Sequence, residues 1–230
     1  MSTRRRSNYP KPEPEPIPLD GSARITSIRP CRDDPARVTL QVNRRRIGRV
    51  LIETKAEHGL EVGTVWTEAL AEALGEELNR GNAYRAAVRI LTKRAKSSGE
   101  LRRKLREYKY ESDAIEWAID RLLELSVLDD EAYAAMVVRS QLIRKPAGRR
   151  LLSGKLRDKG IEQGIIDRVL DEALNDRDPV EDARKLAQQA ARSISDRHEP
   201  EVRIRRITGR LARRGFDFDV IRRVVGELEL

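Results

Sequence analysis

The sequence predicts a mainly α-helical fold, in which three tandem three-helix repeats form an elongated curved array behind a small antiparallel β-sheet and a helix. Two observations predict the repeats. Apolar residues recur at the i, i+3, i+4 and i+7 spacing of a helix face, and the same pattern returns after 51 and then 55 residues. A third observation predicts the sheet, because short alternating runs between residues 24 and 52 are separated by turn-forming residues. The predicted boundaries are an arm at 1–23, a sheet-and-helix unit at 24–81, and repeats at 82–130, 131–178 and 179–230.

The arm is rich in proline and arginine. Arg4, Arg5 and Arg6 are followed by prolines at alternate positions from Pro10 to Pro18, with almost nothing apolar to bury. This composition favours a solvated, extended and disordered segment. Its arginines could contact nucleic acid, but a short disordered leader is the simpler interpretation.

The sequence pattern of residues 24–81 predicts a sheet followed by a helix. Strands are predicted at 25–28, 38–42 and 47–52. Residues 43–46 suit a tight turn between the last two strands. Thr67 can cap a helix that ends at Gly81, since a glycine often ends a helix in the left-handed conformation.

The first repeat shows three helix starts. Asn82 can cap the first helix, and Ser97 with Glu100 matches a capping box that starts the second. Ser112 or Asp113 can cap the third helix.

The three repeats align on Leu105, Leu156 and Leu211, here called the reference leucines. Four residues earlier stand Leu101, Leu152 and Ile207, and ten residues later stand Ile115, Ile166 and Ile221. Gly160 and Gly215 then fall where the second helix of a repeat should end, whereas the first repeat has Lys109 at this position. In the third repeat, Asp178 and Pro179 predict the start of the first helix, with Glu181 completing a capping box.

Charge points to an acidic partner. The chain has a formal net charge of +9, and residues 83–230 hold 33 cations against 26 anions. In the second helix of each repeat, the basic residues are predicted to lie outside the apolar face of the helix. These candidate residues for binding a partner or DNA are Arg102, Arg103, Arg106, Arg149, Arg150, Lys155, Arg157, Arg203, Arg206, Arg210, Arg213 and Arg214.

Arginine pairs in bidentate fashion with carboxylates and phosphates, so these helices suit an acidic protein surface or a nucleic-acid backbone. The simpler interpretation of any one arginine is a solvated helix face. Arginine outnumbers lysine 37 to 10, so part of the excess can reflect the codon usage of a GC-rich genome. The set in the third repeat is the densest, and Arg203, Arg206, Arg210 and Arg213 would line one side of the helix while Ile204, Ile207 and Leu211 hold it to its repeat.

Catalytic chemistry is not indicated. His58 and His198 have no neighbouring ligands at metal spacing, and Cys31 has no recognisable base partner. Asp129 and Asp130 stand where a helix should start, so capping is the expected role. No glycine loop for phosphates appears, and we expect no enzyme activity, cofactor or metal.

The aromatic residues and the absence of long apolar runs predict where these side chains and the protein are located. We expect Trp66, Trp117, Tyr84 and Tyr133 to pack in the core rather than stack on bases. No stretch of about 18 apolar residues could span a membrane, and no signal peptide is recognisable. We therefore expect a cytoplasmic monomer that does not bind membranes.

Three motifs resemble the RecX family of bacterial recombination regulators. They are Ser98-Gly99-Glu100-Leu101 with Lys104-Leu105, then the run from Leu128 to Ala134, and then the run from Lys155 to Ile161. The resemblance is closest over residues 83–175. Members of that family consist of three tandem three-helix units, and the unit at 24–81 resembles an extension that only some of them carry.

The resemblance implies that the protein binds the RecA filament on single-stranded DNA and inhibits its recombinase, ATPase and coprotease activities. It would thereby modulate recombinational DNA repair and the SOS response. Single- or double-stranded DNA could also be bound through the phosphate backbone. The alternative is a regulator of helix-turn-helix type, but the basic residues repeat over three units with little Asn or Gln between them, which favours backbone or protein contacts over base reading.

Overall fold

The computed structural model describes residues 16–32, 34–195 and 197–228. The chain divides into two compact units, an N-terminal unit of residues 1–82 and a C-terminal unit of residues 83–230. Most of the predicted arm, including its three arginines, lies outside the described residues. Its last part does not, and the first strand already begins at Asp20.

The N-terminal unit contains an antiparallel sheet of four strands. They are β1 (Asp20–Pro30), β2 (Arg37–Val42), β3 (Arg45–Leu51) and β4 (Val65–Thr67), in the order β3-β2-β1-β4. The three predicted strands are confirmed, and β4 was missed because three residues are too few to show alternation. The predicted turn is confirmed at Asn43 and Arg44, whose φ angles of 48° and 64° suit a two-residue hairpin.

The core of this unit lies on one face of the sheet. Ile25, Leu40 and Val50 are fully buried there, together with Leu74 from the following helix. Trp66 is also part of this core, which confirms its packing role. A short helix, α1 (Ile52–Glu57), follows β3 and was not predicted, since six residues carry too little periodicity.

One helix replaces the two that were predicted around residue 81. The helix α2 (Glu68–Leu91) runs through Gly81 and Asn82 without a break, so the predicted end and the predicted cap are wrong. The Asn82 amide is used differently: its Nδ2 donates to the Ile47 carbonyl oxygen of β3 at 2.7 Å. Thr67 does cap the helix, since its Oγ1 accepts from the Leu70 amide at 3.3 Å.

The C-terminal unit contains the three predicted repeats. The end of α2, from residue 83, forms the first repeat with α3 (Ser98–Glu107) and α4 (Ser112–Glu124). The other helices are α5 (Asp130–Arg144), α6 (Arg149–Asp158), α7 (Gln163–Leu174), α8 (Pro179–Ser193), α9 (Pro200–Arg213) and α10 (Phe218–Gly226). Each repeat has its own apolar cluster. We call α3, α6 and α9 the second helices.

The predicted register is confirmed by burial. All three reference leucines are fully buried, as are Leu101 and Ile207, and each belongs to the core of its own repeat. The turns agree as well. Gly160 and Gly215 have φ angles of 73° and 79°, and Lys109 adopts the same left-handed conformation at 60° despite its side chain.

The local caps are confirmed in part. Ser97 and Glu100 form the complete capping box at the start of α3, and Asp129 caps α5 by accepting from the Ala132 amide at 2.8 Å. The predicted caps at Ser112 and Asp113 are wrong. Glu111 takes the N-cap position of α4 and makes no side-chain cap hydrogen bond.

Asp178 caps α8 as predicted, with Pro179 following it. Its Oδ1 accepts from the Val180 amide at 2.8 Å. Glu181 does not complete a capping box, because its carboxylate pairs with Arg184 at 2.7 Å instead. The cap at this helix therefore depends on Asp178 alone.

We expect Asp178→Ala to destabilise the third repeat by about 1 kcal/mol, the usual cost of a lost cap. Urea unfolding monitored by circular dichroism measures the change. Asp176→Ala is the matched control, because Asp176 is exposed and, among the described residues, its carboxylate accepts only from the neighbouring Asn175 side chain. Equal stability of the two variants would contradict the assigned helix start.

Candidate functional site: the row of second helices

The second helices of consecutive repeats meet end to end. At the junction of the second and third repeats, the Gly148 amide donates to the Arg214 carbonyl oxygen at 2.9 Å, and the Arg150 amide donates to the Gly215 carbonyl oxygen at 3.3 Å. These two amides belong to the N-terminus of α6, and the carbonyls belong to the turn that ends α9. Amides that a helix N-terminus leaves without an intrahelical partner are thus satisfied by the next repeat.

Two glycines make this approach possible. A Cβ atom on Gly148 would lie 2.1 Å from the Gly215 carbonyl oxygen, and a Cβ atom on Gly215 would lie 2.2 Å from the Leu151 amide nitrogen. Both distances are far below van der Waals contact. Any side chain at these positions would separate the two repeats.

The junction of the first and second repeats has the same design. A Cβ atom on Gly99, at the start of α3, would lie 2.6 Å from the Gly160 Cα atom at the end of α6. The Ser97 hydroxyl donates to the Lys159 carbonyl oxygen, and the Arg103 guanidinium donates to the Asp158 carbonyl oxygen at 2.7 Å. The three second helices therefore form one row in the order α9, α6, α3.

Polar side chains strengthen this first junction. Asp130, in the first turn of α5, accepts from the Ser98 amide at 2.8 Å and from the Ser98 hydroxyl, so it adds a second cap to α3. Tyr133 donates to Glu100 at 2.8 Å, and the Lys159 ammonium donates to the Tyr133 hydroxyl at 3.0 Å.

Glu100 is held as a carboxylate by these contacts. Burial acts to raise the pKa of its carboxyl group, but hydrogen bonds from Tyr133, the Ser97 amide and Lys159 outweigh burial and place this pKa below its ordinary value. Lys159 lies 3.3 Å from the Glu100 carboxylate. The motifs that carry the family resemblance thus meet at one junction between repeats.

Arg214 plays the corresponding part at the second junction. Its guanidinium donates to the carbonyl oxygens of Lys145 and Pro146, on the chain just before α6. Burial lowers the pKa of Arg214 from its ordinary value. This predicted binding residue is therefore engaged within the chain.

The other predicted cations fall into groups by their neighbours. Arg102 pairs with Glu116 at 2.7 Å, and Arg149 pairs with Asp171 at 2.6 Å. Arg157, Arg206 and Arg210 each donate to, or share a hydrogen bond with, a side chain that is not a carboxylate: Ser153, His198 and Ser193, respectively. Arg203 is half-buried.

Four predicted cations make no side-chain hydrogen bond or ion pair within the part of the chain that the structure describes. They are Arg106, Arg150, Lys155 and Arg213, and we call them the unpaired cations. All are exposed except Lys155, which is half-buried. Each second helix carries at least one of them.

Two cations of the row, Lys104 and Arg205, were missed. The residue immediately before the reference leucine is basic in every repeat, namely Lys104, Lys155 and Arg210. Lys104 pairs with Glu107 and lies 5.2 Å from the centre of the Tyr108 ring. The alignment of the three repeats could have identified Lys104, because it shows a basic residue before every reference leucine.

Ile204 does not hold α9 to its repeat as predicted. Its side chain is 38% exposed, whereas Ile207 and Leu211 are fully buried. The helix begins at Pro200, and Ile204, which follows its first turn, is not part of the apolar cluster of the third repeat.

Three aromatic residues of the repeats, Tyr84, Trp117 and Tyr133, pack within the protein as predicted. Tyr84 and Trp117 meet edge to face, with ring centres 6.3 Å apart, and Tyr133 is buried. Among residues 16–32, 34–195 and 197–228, no group of three or more His, Cys, Asp or Glu side chains could hold a metal ion. No helix in these ranges is long and apolar enough to cross a membrane.

Comparison with protein families gives the same division of the C-terminal unit. Models of the first, second and third three-helix domains of RecX match residues 83–122, 129–170 and 176–225. Regulatory protein RecX of Corynebacterium efficiens is 36% identical over 144 residues, which cover 61% of this chain and 68% of that protein. Regulatory protein RecX of Chlorobaculum tepidum is 35% identical over 150 residues, which cover 65% of this chain and 90% of that protein.

Solved structures show the same fold. A crystal structure of regulatory protein RecX superposes with a TM-score of 0.65 at 24% identity, over 89% of this chain and all of that one. The crystal structure of RecX from Lactobacillus salivarius superposes with a TM-score of 0.56 at 26% identity, over 65% of this chain and 96% of that one.

Proposed function

Because this chain belongs to the RecX family of regulatory proteins, we propose that it binds the RecA filament on single-stranded DNA and inhibits its recombinase, ATPase and coprotease activities. It would thereby modulate recombinational repair and the SOS response. In this proposal the protein acts as a cytoplasmic monomer, by binding and without catalysis.

The observation that carries the proposal is the end-to-end row of second helices. These helices contain 10, 10 and 14 residues, so the row presents about 50 Å of helix at 1.5 Å per residue. Cations stand along the whole row. A continuous basic ribbon can follow an extended acidic surface, such as a nucleoprotein filament with acidic side chains and phosphates.

The unpaired cations are the best candidates for direct contacts. A guanidinium that already pairs with a carboxylate has part of its charge and some of its donors engaged by that partner, whereas an exposed unpaired one loses only water on binding. Arg102 and Arg149 are paired in this way. The proposal therefore assigns the contact first to Arg106, Arg150, Lys155 and Arg213, and then to Arg206 and Arg210, whose hydrogen-bond partners are not carboxylates.

The helix-turn-helix alternative has less support. A recognition helix reads bases with its N-terminal residues in the major groove. Here the N-termini of α3 and α6 are covered by the turns that end α6 and α9. Two of the three second helices therefore have no free N-terminus to insert.

An ATPase assay tests the proposal. Substoichiometric protein is expected to lower DNA-dependent ATP hydrolysis by RecA, because one molecule bound along a filament would affect several of its subunits. The protein alone is expected to hydrolyse no nucleotide. A parallel assay with excess single-stranded DNA separates inhibition of RecA from simple masking of DNA, since masking would disappear. Unchanged hydrolysis at equimolar protein, or inhibition fully relieved by excess DNA, would contradict the proposal.

A further inference from the structure

The N-terminal unit separates its charges along the chain. Residues 24–49, which include most of the first three strands, hold eight arginines and two aspartates. Residues 50–82, which include α1 and the first part of α2, hold seven glutamates and two cations. The sheet is therefore the basic part of this unit.

Strand register places part of this charge on the face opposite the core. Arg29 pairs with Thr39, and Thr39 pairs with Arg49, so these three residues form one row across the sheet. Their neighbours Leu40 and Val50 are fully buried. Because successive side chains of a strand alternate between faces, the row lies on the face away from the core.

An open concavity of about 550 Å³ lies on this unit, lined by Arg24, Arg29 and Arg44 together with the polar residues Thr26, Ser27 and Gln41. Ile25, Val62 and Gly63 complete the lining, and no acidic residue among those that the structure describes belongs to it. We call this concavity the arginine face.

The three arginines of this face have neutral neighbours. The Arg24 Nη1 donates to the Gly63 carbonyl oxygen at 3.2 Å, and the Arg29 Nε donates to the Ser27 hydroxyl at 3.1 Å. Within the described ranges, none of the three guanidinium groups forms an ion pair with a carboxylate. Most of their donors therefore remain available to an anionic ligand.

We propose that the arginine face binds the phosphate backbone of nucleic acid. Guanidinium groups, hydroxyls and side-chain amides are the groups that contact phosphates and sugars in protein–nucleic acid complexes. Arg24 and Arg29 are five residues apart on one strand, roughly 16 Å at 3.3 Å per residue. That distance spans more than one phosphate, so the ligand is a polymer rather than a single phosphate group.

The composition of the face also indicates how the ligand is recognised. Trp66 is buried, and the described residues that line the face include no aromatic ring on which a base could stack. Binding through the backbone alone is independent of base sequence and strongly dependent on salt. An acidic protein partner would be expected to meet exposed apolar anchors as well, and the lining offers only Val62 as an exposed large apolar residue.

Fluorescence anisotropy with a labelled oligothymidylate and the full chain tests this proposal without RecA, so its outcome is independent of the proposed function. The test variant combines Arg24→Ala, Arg29→Ala and Arg44→Ala. The matched control combines Arg89→Ala, Arg139→Ala and Arg192→Ala, one exposed cation from the first helix of each repeat, and has the same net charge. Circular dichroism checks that both are folded.

We expect the test variant to bind at least tenfold more weakly than the control variant at low salt. The slope of log affinity against log salt should become shallower by about two, since three lost phosphate contacts each contribute roughly 0.7. Replacing the same three arginines by lysine should retain most of the affinity, because charge dominates backbone contacts. Equal affinity of the test and control variants would overturn the proposal, as would a test variant that binds DNA normally and loses only binding to a protein.

Discussion

Replacing one unpaired cation in each second helix by glutamate is expected to weaken inhibition of RecA roughly tenfold or more at low salt. The variant combines Arg106→Glu, Lys155→Glu and Arg213→Glu. These side chains contact no carboxylate or other polar group within the described residues, so the change removes attraction to the partner without breaking internal pairs. Electrostatic steering of this kind changes association rates by factors of ten to a thousand. The measurement is the concentration that halves DNA-dependent ATP hydrolysis by RecA.

The control is a triple variant with the same change in net charge. Arg89→Glu, Arg139→Glu and Arg192→Glu reverse one exposed cation on the first helix of each repeat. We expect it to inhibit nearly as well as the unmodified protein. The difference between the two variants should shrink as salt rises, because screening already reduces the attraction in the unmodified protein. If the two variants inhibit equally in low salt, the second helices are ordinary solvated surface and the filament contact lies elsewhere.

Adding one methyl group at a junction is expected to be the most damaging small change to the fold. In Gly148→Ala the new Cβ atom would lie 2.1 Å from the Gly215 carbonyl oxygen. A backbone atom cannot rotate away as a flexible side chain can, so the two repeats must move apart. We expect a loss of roughly 2–3 kcal/mol, within the range for overpacked sites, measured by urea unfolding.

Gly154→Ala is the matched control for this prediction. Gly154 lies inside α6, where an added Cβ atom would meet nothing within 4 Å. Alanine is the better helix former, so we expect a gain of about 0.5–1 kcal/mol. The two substitutions are chemically identical and six residues apart. Similar unfolding midpoints would contradict the close approach of the repeats at Gly148.

Features set by neighbours along the chain were predictable. The capping box of Ser97 and Glu100 involves residues three apart, and the turns at Gly160 and Gly215 follow from one residue type at one position. Burial of the reference leucines was predictable for the same reason, since helical spacing alone places them on one face. The repeats made these predictions more secure, because the same apolar positions recur in all three sequences.

Features set by distant contacts were not predictable. Gly81 and Asn82 have the composition of a helix end, but the Asn82 side chain instead bonds to Ile47, 35 residues earlier. Asp130 caps a helix of the previous repeat, and Arg214 bonds to the chain 68 residues before it. The first contact depends on how a helix packs on the sheet and the other two depend on how the repeats stack, and no local pattern encodes either arrangement. The same holds for the candidate site, where pairing of Arg102 with Glu116 could not be distinguished from a free arginine.

The extra length of α9 has a consequence for assembly. When the reference leucines are aligned, α3 and α6 begin at equivalent positions, and α9 begins four residues earlier, at Pro200. The beginnings of α3 and α6 are the places that receive the turn of the following repeat. In α9 this place is filled by one additional helical turn of the same chain. The start of α9 therefore cannot receive a turn in the way that the starts of α3 and α6 do, and in this respect the third repeat differs from the other two, as an end repeat of a solenoid differs from the internal ones.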